Sequence, residues 1–440
     1  MTDRGQLSYP DAVAALTERG RFGISMGLER VARLMAEAGH PEGGLRGALV
    51  GGTNGKGSVV AMAQSVLSAA GLRIGTMPKP HLASYRERIA VDGRPIPATD
   101  FAAAVERVLP AIDTVAAEVG PPTEFEALTA AAIVELARRQ VDLAIVEVGM
   151  GGRLDATNIL DPGVAVITNV QLDHQAHLGS TLAAIGGEKA AIIKRGDFAV
   201  TGATGRGLRP ILDRCDALDV PLRRAGAGQA YRARVVESGW DGLVIDAWTP
   251  GHRLTNLRVG LLGAHQADNA AVAVALIEAL DERFGLTIPE AVLRRGIAET
   301  RWPGRMELLD ASAIGLRRVL LDGAHNPAGA GALARALDDL GLAQPAIVFG
   351  AMRGKDVRGS LRALAPLRPR FVFTRVEDPG ALPPTELAAA WRGLGGGTST
   401  VAPDPAAALR AADGDPVVVA GSLYLVGAVR RMIIGMDTDA

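Results

Sequence analysis

Cysteine is almost missing from this chain: among 440 residues only Cys215 is present. A single thiol excludes an internal disulfide and a thiolate metal cluster. An excess of either charge is missing too, with 47 Lys plus Arg against 48 Asp plus Glu and a net charge of -1. No global field is left to hold a polyanion such as nucleic acid, so any phosphate must be bound locally. Long hydrophobic runs are also lacking. The apolar stretch 270–277 ends in Glu278, well short of the roughly 20 residues that a membrane span needs. The opening Met1-Thr2-Asp3-Arg4 carries no mark of a secretion signal. The expectation is a cytoplasmic protein with neither membrane nor nucleic acid as a partner.

What is present suffices for two globular domains, with 48% hydrophobic and 22% charged residues. Between residues 47 and 201, short apolar runs at 48–51, 143–148 and 164–168 alternate with helical patterns at 58–70, 128–140 and 181–194. That rhythm predicts βαβ units on a mostly parallel sheet. Residues 231–263 differ: Val235-Val236, 243–245 and 257–262 are separated by Gly, Asp and Pro turns, as in a small antiparallel sheet. A long helix over 266–283 follows. Pro303 and Gly304 then break the helical pattern, and a fresh β/α alternation begins at Arg318. It runs through 319–321, 327–340, 346–349, 371–374, 384–391 and 417–420 to a terminal helix at 423–432. The expected boundary divides the chain into 1–300 and 301–440, the second unit being a smaller α/β, Rossmann-like domain.

Residues 48–51 lead into Gly52-Thr53-Asn54-Gly55-Lys56-Gly57-Ser58, and a helical pattern follows. A strand, a glycine-rich turn and a helix N-terminus set backbone N–H groups around a phosphate, with Lys56 as a point charge and Ser58 as a hydroxyl for Mg²⁺. The spacing is tighter than the usual phosphate loop, since Val50 stands where the first glycine would fall. An ordinary glycine-rich turn is the alternative.

Three further places carry polar groups where an α/β sheet binds ligands. Glu147 ends the apolar run 143–148, where a carboxylate needs either a metal or a structural cation. Asp173-His174 follows the run 164–168 and either reaches the same site or caps a helix. Glu188-Lys189 precedes small and apolar residues that either lower the lysine's pKa or merely mark an amphipathic surface helix.

Taken together the motifs resemble the folylpolyglutamate synthase and dihydrofolate synthase family, a branch of the Mur ligase superfamily. The similarity runs from about residue 27 to 430 and rests on segments in the family's order. These are Met26 to Arg30, the loop 52–58, Pro80-His81-Leu82 with Arg86-Glu87-Arg88-Ile89, 125–129, 147–158, 172–174 and 188–194. His265-Gln266 with Asn269, Trp302-Pro303-Gly304-Arg305, 322–327 and 421–424 complete the set. The resemblance implies a P-loop ATPase-like N-terminal domain and an ATP-dependent amide ligase that joins L-glutamate to folate or dihydropteroate, working as a monomer with ATP and Mg²⁺. It implies that Thr53, Asn54, Gly55, Lys56, Gly57 and Ser58 meet the ATP phosphates, together with Asn269 at the base, Arg305 and Asp322. Ser58, Glu147, His174 and an N-carboxylated Lys189 would hold Mg²⁺, and His325 would serve the catalytic region with Lys56, His174 and Lys189. Gly27, Leu28, Glu29, Arg30, Gly149, Gly151, Gly152, Arg153 and Asp155 would line the pterin side.

This chain departs from the family at Lys79, where a metal-binding serine commonly precedes Pro-His-Leu. A protonated lysine cannot ligate Mg²⁺. Either water completes that metal's shell, or the ammonium takes over part of its charge neutralisation, or Lys79 faces solvent. Competing functions are a Mur-type ligase for another acid, a binding protein without turnover, and a phosphate-loop switch. A nucleotide-sugar domain ahead of the loop is not expected in the 51 residues before Gly52.

Overall fold

The computed structural model describes residues 7–19, 27–376 and 378–435. Met26 of the first quoted motif lies outside the described residues.

Within these residues the first sheet has the order β4-β3-β2-β5-β1-β6-β7-β8. Its strands are β1 (Gly47–Gly51), β2 (Ile74–Met77), β3 (Ala90–Val91), β4 (Arg94–Pro95), β5 (Leu143–Glu147), β6 (Val164–Ile167), β7 (Phe198–Thr201) and β8 (Leu222–Arg224). All neighbours pair in parallel except the β2-β3-β4 edge. β1 sits between β5 and β6, and every residue of β1 and β5 is buried. A strand covered on both faces has no polar side, which is why these segments read as unbroken apolar runs.

Alternation still sorts the side chains. Leu49 and Val146 join the core beneath helices Ala98–Glu118 and Glu124–Arg138, whereas Ala48, Val50 and Ile145 join the core under helices Lys56–Ala69 and Gln266–Phe284. The helix Gln266–Phe284 is buried on nearly all sides because the second sheet covers its other face. That antiparallel sheet comprises β9 (Arg232–Gly239), β10 (Gly242–Trp248) and β11 (Arg253–Val259), as the turn-rich sequence led one to expect.

The C-terminal α/β domain has its own sheet, ordered β12-β13-β17-β14-β15-β16. Its strands are β12 (Glu307–Asp310), β13 (Arg318–Leu321), β14 (Ala346–Phe349), β15 (Arg370–Phe373), β16 (Thr400–Val401) and β17 (Val417–Ala420). Only β12 pairs antiparallel, at the edge. Here too alternate residues divide between two cores, Leu320, Ile347 and Val418 on one face and Val319, Val348 and Val417 on the other. No described helix is long and apolar enough to cross a membrane.

Candidate active site

β1, β5 and β6 are adjacent parallel strands, so their carboxyl ends open on one crevice, at the place where the strand order turns outward in both directions. β1 delivers the loop 52–58. Gly52 (φ 139°) and Gly55 (φ 81°) occupy backbone conformations that disfavour a side chain. A Cβ on Gly52 would strike the Thr168 hydroxyl, and one on Gly55 the Asn269 carboxamide oxygen. The helix beginning at Lys56 has no side-chain cap, which leaves its first-turn N–H groups for an anion.

Residues after β6 clamp this loop. Asn169 Oδ1 accepts from Asn54 N at 3.0 Å, while Thr168 Oγ1 and Asn169 Nδ2 both donate to Asn54 O at 2.6 and 2.9 Å. Gln171 N donates to Thr53 Oγ1 at 3.1 Å, which in turn donates to Gln171 O. Thr168, Asn169 and Gln171 went unassigned in the sequence, although Thr168 ends, and the other two follow, a run whose ligand-binding end was recognised.

The charges interlock. Lys56 Nζ donates to Gly52 O and Thr53 O and stands 3.9 Å from Glu147 Oε1. Burial raises the Glu147 pKa, and Lys56, Arg305 and Lys79 oppose that rise. Lys189 is buried within its helix, with Nζ donating to Gly52 O at 2.9 Å. Burial first, and then the charge of Lys56, bring its pKa down to about 7. The sequence alternative of a solvent-facing Lys189 is thereby set aside.

The C-terminal domain closes the far wall. Asn326 caps the helix Pro327–Asp339 by accepting from Gly329 N, and its Nδ2 reaches Asp173 Oδ2 (3.1 Å) and Asn54 Oδ1 (3.3 Å). Lys355 Nζ donates to Asp173 Oδ1 and lies 3.4 Å from His174 Nε2. Burial works against ionisation of Asp173, but Lys355, His174 and Asn326 outweigh it and hold the carboxyl below its ordinary range. Burial and Lys355 keep His325 neutral, with its pKa at about 4, and its Nδ1 faces Gly323 O at 2.8 Å. Asp322 accepts from Met306 N and Ala324 N, so it shapes the turn that carries Arg305 and His325.

A cavity of about 950 Å³ joins these parts. Its wall includes every expected phosphate-loop residue, Glu147, His174, Lys189, Asn269, Arg305, Asp322 and His325, and on the acid side Gly27, Gly149, Gly151 and Asp155. Leu28, Glu29, Arg30, Gly152 and Arg153 lie off this wall. Arg30 pairs with Glu126 at 2.9 Å, Arg153 pairs with Glu188 at 3.0 Å, and Gly152 is buried beneath the Glu188 backbone. Asn326 and Lys355 are further site residues that sequence reasoning left without a role.

The glycine cradle, Lys56, the buried Ser58 hydroxyl and Glu147 fit the phosphates of ATP with Mg²⁺ beside them. The remaining expected donors are not gathered with them in their unmodified form. Among the described residues no three His, Cys, Asp or Glu side chains converge on a metal position. His174 Nε2 faces the Lys355 ammonium instead.

This phosphate-loop sheet, capped by a second α/β domain across the cleft, defines an ATP-dependent ligase of the Mur type. The Mur ligase middle domain matches residues 50–277, and the Mur ligase glutamate ligase domain matches 304–423. The chain is 33% identical to the dihydrofolate synthase/folylpolyglutamate synthase of Bacillus subtilis, over 97% of this chain and 99% of that one. Mycobacterium tuberculosis folylpolyglutamate synthase complexed with ADP superposes with a TM-score of 0.86 at 32% identity, covering 97% of this chain and 100% of that one. Escherichia coli FolC in complex with DHPP and ADP gives 0.83 at 30% identity, with 96% and 98% covered. The chain belongs to the folylpolyglutamate synthase and dihydrofolate synthase family.

Proposed function

We propose that the chain joins L-glutamate to the carboxylate of a folate-type acid, dihydropteroate or tetrahydrofolate, at the expense of ATP. The acid's carboxylate attacks the γ-phosphorus and expels ADP, and the glutamate amine then attacks the acyl carbon of the resulting acyl phosphate and expels phosphate. The observation that carries this reading is the cavity of about 950 Å³ whose wall runs from the phosphate loop to Phe125 and Asp155.

Lys56 and the loop N–H groups orient the γ-phosphoryl and take up charge as it transfers. Arg305 brings a second cation from the C-terminal side. Ser58 and Glu147 would hold Mg²⁺, which would neutralise the phosphate oxygens, and His174 would join them only on leaving the Lys355 ammonium it faces here. A Lys189 amine with its pKa near 7 is available to add CO₂, losing a proton to become an N-carboxylate that supplies the further anionic donor. Closure of residues 301–440 over 1–300, held by Asn326 and Lys355, excludes water from the acyl phosphate. Neutral His325 lines the cavity from the C-terminal side, where with so low a pKa it can hydrogen-bond a reactant but not hold a proton. Action as a cytoplasmic monomer belongs to the same reading.

The test is phosphate release from ATP with L-glutamate, using 7,8-dihydropteroate and tetrahydrofolate in parallel, beside Lys189→Ala. Release that needs both acid and glutamate and collapses in the variant supports the proposal. Release indifferent to both acids removes the folate assignment.

A further inference from the structure

Lys79 does not face solvent. It follows β2, whose neighbour in the sheet is β5, and its main-chain N donates to Glu147 Oε2 at 3.3 Å. The side chain is only 9% exposed and passes over the Phe125 ring, with Nζ 4.1 Å from the ring centre. That nitrogen is buried and has no hydrogen-bond partner among the described residues. Asp155 Oδ1 faces it at 4.0 Å, beyond hydrogen-bond reach.

Neither nearby carboxylate requires this lysine. Asp155 spends Oδ1 on the N–H and hydroxyl of Thr157 and Oδ2 on Met150 N. Glu147 has Lys56 opposite it. Burial makes an ammonium here costly, and the relief from Asp155 and Glu147 is opposed by the like charges of Arg88 and Lys56. Three buried N–H donors without acceptors cost free energy that an arriving anion would recover. The cation of Phe125 and Lys79 also lies on the wall of the cavity between the phosphate loop and the acid side.

We propose that Lys79 is the substrate-binding cation that receives the reacting carboxylate of the acid and accompanies it into the acyl phosphate. The proposal rests on the ligase reading above. An ammonium in this place does for the carboxylate what a divalent cation could do, through short charge-assisted hydrogen bonds. It leaves the nucleotide phosphates to Lys56 and Ser58.

The experiment is a charge cycle measured by calorimetry, with no turnover required. Binding of 7,8-dihydropteroate and of its neutral carboxamide is compared in the intact protein, in Lys79→Met and in Lys79→Arg, each loaded with a non-hydrolysable ATP analogue. The expected result is a loss of about tenfold or more for the acid in Lys79→Met, a change of about twofold or less for the amide, and partial recovery in Lys79→Arg. Analogue affinity and melting temperature of the variants show that the fold persists. Equal losses for acid and amide, or no loss for the acid, would overturn the assignment and leave Lys79 a packing residue. Phosphate release by the intact protein reads the ligase proposal separately: it can fail while the charge preference stands, or succeed while the preference is absent.

Discussion

Lys56 and Lys189 place their ammonium nitrogens on one acceptor, the carbonyl of Gly52, at 3.2 and 2.9 Å. They come from two helices, Lys56–Ala69, which the loop begins, and Leu182–Ala190. Two cations sharing a carbonyl in a desolvated place disfavour each other's charge. At Lys189 burial and then the charge of Lys56 bring the pKa down to about 7.

Replacing Lys56 by Met removes the charge that meets the transferring phosphoryl and leaves Glu147 without its nearest cation. Turnover should fall by about 10²-fold or more, with far less effect on the affinity for the acid. Steady-state kinetics with separate variation of ATP and acid checks this.

N-carboxylation of Lys189 predicts a carbamate carbon signal in the ¹³C spectrum of protein equilibrated with ¹³C-bicarbonate. The signal should be missing in Lys189→Ala, and activity should fall in buffers stripped of CO₂ and return when bicarbonate is added.

The loop glycines make a steric prediction. Gly55→Ala sets a methyl against Asn269 in a backbone conformation that L residues rarely adopt. Nucleotide affinity should drop at least about tenfold, with a loss of about 1–3 kcal/mol in stability, read by calorimetry and denaturant unfolding.

Asn326 separates capping from bridging. Asn326→Asp keeps an acceptor for Gly329 N but sets a carboxylate against Asp173. Asn326→Ala loses both functions, at a cost of about 1 kcal/mol for the cap. The Asp variant should therefore be the poorer enzyme, and its cap should not make it more stable than the Ala variant because its charge repels Asp173, as phosphate release and melting temperature together detect.

Asp197 supplies a pH dependence of stability. Burial lifts its carboxyl from 3.8 to about 6, against the hydrogen bond it accepts from Lys194 N. The folded state thus binds a proton more tightly than the unfolded chain does. This group's contribution is fully present below about pH 4 and is lost as pH rises through about 6. Asp197→Asn should flatten the fall in stability across that window and leave the protein more stable at pH 7, as measured by urea unfolding at several pH values.

The strands that position the site were legible because they are covered on both faces. Residues 143–146 and 417–420 are unbroken apolar runs, and any other placement would expose them. β2 escaped notice because Ile74-Gly75-Thr76-Met77 is short and interrupted by glycine, and β12 because an edge strand with one open face tolerates Glu307 and Asp310. Loop residues with chemistry in the residue type, such as Lys56 and Glu147, stood out. Lys355 did not, since its meaning comes from Asp173, 182 positions away, and only the packing of two domains joins them. Lys79 was visible as a departure, but its desolvation depends on Phe125 and on the sheet order.

The most direct test uses acid labelled with ¹⁸O in its carboxylate, together with ATP and L-glutamate, followed by mass spectrometry of both products. The account predicts a pterin product heavier by one glutamyl residue and phosphate carrying one ¹⁸O atom, because the bridging oxygen of the acyl phosphate leaves with the phosphate. Phosphate without label, or no glutamylated product from either dihydropteroate or tetrahydrofolate, would contradict it.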